Sequence, residues 1–88
     1  MKATMESTSK LLILNGLSVR VWEGVTQNGV RFVALVNRLQ AVQPTEQQAM
    51  VQELTKFKEP SAETERTLIQ MGVVAPPPES EVPPAAKA

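Results

Sequence analysis

Lys10 to Gln40 reads KLLILNGLSVRVWEGVTQNGVRFVALVNRLQ, an apolar run broken twice by Asn-Gly, at Asn15-Gly16 and Asn28-Gly29. Asn-Gly readily takes the positive φ values that a two-residue hairpin turn requires, so each pair marks a chain reversal between strands. The run therefore predicts a three-stranded antiparallel meander over about residues 10–40.

Placing each Asn-Gly at the centre of a two-residue turn sets a register. Leu14 then faces Leu17 and Leu12 faces Val19 in the first hairpin. In the second, Val25 faces Phe32, Glu23 faces Ala34 and Val21 faces Val36. Opposed residues point to one side of a sheet, and side chains alternate along each strand. One face thus collects Leu12, Leu14, Leu17, Val19, Val21, Val25, Phe32, Ala34 and Val36. The other collects Leu11, Ile13, Ser18, Arg20, Trp22, Arg31, Val33, Leu35, Asn37 and Leu39. The first is nearly all apolar; the second has an apolar centre and a polar margin.

Outward from the meander, Pro44 and Thr45 open a helical pattern. Thr45 is a candidate N-cap, and Met50, Val51, Leu54 and Phe57 recur at helical spacing, predicting a helix over about 46–58. Pro60 ends it and Ser61 caps a second helix over about 62–71, closed by Gly72 as the left-handed C-terminal residue. Residues 1–9, MKATMESTS, carry no apolar period and read as a flexible arm. Residues 75–88 hold five of the seven prolines and read as a disordered, Pro/Ala-rich tail. The expected fold class is α+β: the meander, two short helices over its more apolar face, and disordered termini around a domain spanning 10–74.

Composition narrows the function classes. The 88 residues include no Cys, no His, no Asp and no Tyr, and nine acidic residues balance nine basic ones. The commonest general base, the commonest metal ligand and any thiolate nucleophile are missing. No Ser or Thr stands in a recognisable nucleophile motif, so no catalytic, cofactor-binding or metal-binding residue is nominated, and the expectation is a protein that is not an enzyme and carries no cofactor. Zero net charge supplies no field toward nucleic acid or an anionic membrane. The apolar runs are far too short to span a bilayer and no apolar signal region precedes the first strand, so a cytoplasmic protein without membrane or small-molecule partners is expected.

What remains is binding. Trp22, the sole tryptophan, sits on the mixed face with Arg20, Arg31, Val33, Leu35 and Asn37, and these six are the candidate partner-binding residues. Trp and Arg dominate interface hot spots, and the two helices have enough apolar surface to cover one face of the sheet only. The competing structural reading is that Trp22 merely packs across the strands and shields the sheet's back. The expected partner is a protein, a second copy foremost, bound through the Trp22 face by an adaptor, inhibitor or regulator. A short, cysteine-free, one-sheet chain of this kind suits a small accessory protein of a phage or mobile element. The disfavoured alternatives are nucleic-acid binding through Arg20, Arg31 and Trp22, and a structural part in a viral assembly. Glu23, isolated on the apolar face, is expected near the hairpin end with Arg38 or Lys56 reaching toward it. The PPPESEVPP stretch of the tail could engage an aromatic groove but reads better as a spacer.

Overall fold

The computed structural model describes residues 1–75. It is an α+β fold: a three-stranded antiparallel sheet in the order β1-β2-β3, with β1 Ala3–Leu14, β2 Leu17–Thr26 and β3 Arg31–Val36, followed by a 3-10 turn at Pro44–Glu46 and two helices, α1 Gln47–Glu53 and α2 Ala62–Gln70. The Pro/Ala-rich stretch lies outside the described residues beyond Ala75.

The first turn is the expected one. Asn15 (φ 50°) and Gly16 (φ 82°) both lie in the left-handed region, and Leu14 pairs with Leu17. The second differs. Gly29 has φ 88° but Asn28 is not in the left-handed region. Thr26 N–H donates to the Val30 carbonyl at 2.8 Å and Gly29 N–H donates to the Thr26 carbonyl at 2.9 Å. This is a three-residue loop, Gln27-Asn28-Gly29, built on a type I turn with the glycine as a bulge. The Thr26 side chain completes it, its Oγ1 accepting from Val30 N–H at 3.0 Å.

One extra loop residue moves β3 by one position. Val21 pairs with Leu35, Trp22 with Ala34, Glu23 with Val33, Gly24 with Phe32 and Val25 with Arg31. Because the side-chain period is two, this slip exchanges the faces of every β3 residue. Val33 and Leu35 join Val19 and Val21, while Phe32, Ala34 and Val36 join Trp22.

β1 begins at Ala3, so residues 3–9, expected as an arm, are strand. Ser7 pairs with Trp22 and Leu11 with Arg20, which leaves Thr8, Ser9 and Lys10 opposite the single residue Val21. This two-residue bulge keeps the faces in phase. It also holds the buried Thr8, whose Oγ1 donates to the Val21 carbonyl at 2.7 Å. The arm carried no strand signal because its residues alternate Thr, Glu and Thr with Met and Ser, polar on both faces.

The helices divide between the two faces. α2 lies on the Val19–Val21 side, where Leu68 is fully buried with Val21. It is capped as expected: Ser61 Oγ accepts from Thr64 N–H at 3.2 Å. At its C-terminus Gly72 (φ 79°) N–H donates to the Ile69 carbonyl and Val73 N–H to the Leu68 carbonyl, a Schellman motif. α1 is shorter than the expected 46–58, and Thr45 does not cap it; its N-cap, Glu46, makes no side-chain bond. It stops at Glu53, where Thr55 Oγ1 donates to the Gln52 carbonyl at 2.6 Å. The half-buried stripe of α1 is Gln47, Met50 and Leu54, while Val51 and Phe57 stay exposed, Phe57 at 78%. Leu39 and Leu54 share a cleft with Leu11, Trp22 and Val36. The chain after β3 therefore passes over the Trp22 side, rounds the free edge of β1, and returns as α2 across the other face. The expectation that both helices cover one face is corrected accordingly: the linker must travel from the β3 edge to the β1 edge, and it takes the Trp22 side.

Candidate functional site: the Trp22 face of the sheet

The face opposite α2 consists of Leu11 and Ile13 from β1, Arg20, Trp22 and Gly24 from β2, and Phe32, Ala34 and Val36 from β3. Trp22 is half-buried and flanked by Ala34 on β3 and Ser7 on β1. Its cross-strand neighbours are small, and Leu39 and Leu54 share a cleft with it. Beside it Phe32 lies across Gly24. A Cβ at residue 24 would run into the Phe32 ring, so only glycine lets the ring take that position. The aromatic ring covers the bare backbone of its cross-strand glycine, a pairing that strengthens a glycine-containing strand.

Toward the first turn the face opens. Leu11 is 58% exposed and Ile13 69% exposed. Ile13 belongs to the part of the β1–β2 hairpin that projects past β3, whose last pairing is Val36 with Arg20, and Leu11 stands level with that pairing. Leu39 and Leu54 partly roof the centre of the face but do not reach this projection: Ile13 takes no part in the cleft they form.

Of the six residues nominated from sequence, the structure brings together Trp22 and Arg20, with Asn37 at the margin. Asn37 Nδ2 donates to the Ser18 carbonyl at 2.9 Å, a side-chain bond that ends the β2–β3 ladder. Arg20 donates through Nη1 to the Thr8 carbonyl at 2.8 Å, securing the bulge. Val33, Leu35 and Arg31 lie on the opposite face. Arg31 forms a two-pronged pair with Glu63 of α2, one prong being Nη2 to Oε2 at 2.8 Å. In their place the Trp22 face holds Phe32, Ala34 and Val36, which sequence reading assigned to the core. The missed signal was Thr26, whose side chain favours the longer loop by bonding the Val30 N–H.

A second cluster gathers on the α2 face. Glu23 Oε1 accepts from Lys58 Nζ at 2.5 Å, and Glu23 Oε2 accepts from Ser61 N–H at 2.7 Å and from Thr64 Oγ1 at 2.6 Å. Glu6, opposite Glu23 on β1, also meets Lys58 Nζ at 3.3 Å. Partial burial alone would push the Glu23 carboxyl up. The bonds from Lys58, Thr64 and Ser61, with the Lys58 charge, outweigh it and bring the pKa from 4.5 down to about 2. The same contact with Glu23 raises the Lys58 ammonium above its ordinary value against the opposing effect of burial. Lys58 thus fills the place expected for Arg38 or Lys56. Both oxygens of Glu23 are engaged within the chain, so the cluster is a fastening between β2 and the start of α2.

Among the described residues no group of three or more potential metal ligands converges, and no helix is long and apolar enough to cross a membrane. Comparison with family models, with curated proteins and with solved structures gave no match.

Proposed function

We propose that this chain is a protein-interaction module, an adaptor, inhibitor or regulator that acts by binding rather than by catalysis, and that it engages its protein partner, or a second copy, through the Trp22 face. The observation that carries this reading is the uneven cover of the sheet. The α2 side buries Val19, Val21 and Leu68 and ties its charges into internal pairs. The Trp22 side leaves Leu11 and Ile13 more than half exposed beside a half-buried tryptophan. A half-buried aromatic anchor, an apolar surround and a polar margin at Asn37 and Arg20 make the anatomy of an interface core and rim.

The test compares wild-type protein with the double variant Trp22→Ala/Ile13→Ser as bait on a column exposed to extract of the native host. The expected result is a stoichiometric protein species held by the wild type and lost by the variant, with far-ultraviolet circular dichroism nearly unchanged. Equal capture by both baits removes the Trp22 face from the proposal.

A further inference from the structure

The sheet has two outer edges, and the chain treats them differently. The bond from Thr26 N–H to Val30 makes these two a hydrogen-bonded pair, and such pairs recur at every second position. Phe32, Ala34 and Val36 therefore direct their backbone groups inward to β2. Arg31, Val33 and Leu35 direct theirs outward.

On the β1 side the corresponding edge is broken by the Thr8–Lys10 bulge and occupied at Ser9, whose N–H donates to Lys58 at 2.7 Å. Lys10 and Glu6 add charge along it, each paired in a salt bridge. Bulges, charges and a covering segment are the devices that stop an edge from recruiting another strand. The β3 edge has a single charge, Arg31 at its very start, and neither a bulge nor a backbone bond to a covering segment. Residues 32–36 read Phe-Val-Ala-Leu-Val, with no charge, no proline and no bulge. Among the described residues, no backbone hydrogen bond outside the β2–β3 ladder involves residues 31–36.

We propose that the β3 edge pairs antiparallel with the β3 edge of a second copy, with the two-fold axis at Ala34, giving one six-stranded sheet. The occupant follows from self-complementarity. A two-fold axis perpendicular to the sheet keeps each face continuous with its counterpart, so residues of like parity must oppose one another. With Ala34 on the axis, Val33 meets Leu35 and Phe32 meets Val36 of the second copy, apolar against apolar. Arg31 meets Asn37, so no like charges oppose one another. The central part of the strand then exchanges its outward backbone bonds in reciprocal pairs. The two Trp22 faces become one broad platform, with both α2 helices on its far side. This edge is separate from the Trp22 face, so each surface can be tested without the other.

Analytical ultracentrifugation of the full chain is the first arm, with mass rising to twice that of one chain as concentration increases. Val33→Pro removes an outward N–H while leaving every inward bond of the β2–β3 ladder in place. It is expected to sediment as a monomer with an unchanged circular dichroism spectrum, whereas Trp22→Ala stays dimeric. The second arm needs no destabilising change. The chain has no cysteine, so Ala34→Cys places a single thiol on the axis, at a non-hydrogen-bonded pair where the Cα atoms are close enough for a disulfide. Under mild oxidation Ala34→Cys is expected to form a covalent dimer many-fold faster than Leu35→Cys, whose two copies lie too far apart to bridge. A wild-type chain that stays monomeric at all concentrations overturns the proposal, and so does equal cross-linking of the two cysteine variants. A dimer lost on Trp22→Ala but retained by Val33→Pro also overturns it, and assigns the contact to the sheet face instead.

Discussion

Ser9 and Lys58 are tied together by two hydrogen bonds across 49 residues of chain: Ser9 N–H donates to the Lys58 carbonyl at 2.7 Å, and Lys58 N–H donates to Ser9 Oγ at 2.8 Å. The contact sits where the linker rounds the edge of β1, and it needs the bulge to present Ser9 outward. It also delivers the Lys58 side chain to Glu23. Ser9→Ala removes one acceptor and leaves the Lys58 N–H without its partner. The expected loss is about 1 kcal/mol in urea unfolding, accompanied by faster amide exchange at residues 57–61 than in β2.

Glu23 gives the protein an acid-sensitive step. Its pKa is about 2 folded against 4.5 ordinarily, so its contribution is fully present above pH 4.5 and is lost as pH falls from there through 2. Glu23→Gln should cost on the order of 2 kcal/mol at pH 7 and flatten the stability profile between pH 4.5 and 2. Urea midpoints measured across that range for both proteins check this, and parallel profiles would deny Glu23 its role. Lys58 acts at the other end. Its raised pKa means its contribution is present below 10.5 and is lost as pH climbs above that value.

Gly24 and Phe32 form a matched pair. Gly24→Ala places a methyl against the ring and must swing it off the strand. The expected cost is about 1–2 kcal/mol, within the range for overpacking. Phe32→Ala in the Gly24→Ala background should then cost less than Phe32→Ala alone, because the ring has already been displaced. A double-mutant cycle measures the coupling, and strict additivity would contradict the contact.

Arg31 and Glu63, by contrast, should matter little to stability. Both side chains are more than half exposed. Exposed ion pairs contribute about 0–1 kcal/mol, so Arg31→Ala is expected to shift the urea midpoint only marginally and to lose even that effect in high salt.

Deleting Gln27 tests how the second turn sets the register. The shortened loop leaves Asn28-Gly29 as a two-residue turn between Thr26 and Val30, which already form a pair. The faces of β3 should therefore not change. Contacts from Val21 to Leu35 in nuclear Overhauser spectra would persist, whereas a return of Val21 opposite Val36 would refute the loop assignment.

Local chemistry made much of the fold legible. Asn15-Gly16 specified a type I′ turn and the first hairpin's register from adjacent residues alone. Ser61 and Gly72 marked both ends of α2, because capping bonds span only three to five residues. The second turn was legible as a reversal but not in its length. A two-residue and a three-residue loop use the same Asn-Gly, and the longer one is held by Gly29 N–H donating to the Thr26 carbonyl and Val30 N–H donating to Thr26 Oγ1. The loop length decides which of Val33, Leu35, Phe32 and Ala34 stand beside Trp22, and so it decided the composition of the candidate site.

The amino-acid sequence by itself determined the strands' antiparallel order, the caps of α2 and a side-chain inventory without Cys, His, Asp or Tyr, because each is written in neighbouring residues or in composition. The tertiary structure alone decided that residues 3–9 are strand, that the linker crosses the Trp22 side, and that Lys58 rather than Arg38 or Lys56 meets Glu23. Those outcomes depend on partners dozens of residues apart. A polar segment such as residues 3–9 becomes a strand only because ten-residue β2 offers it a ladder, which no local period records.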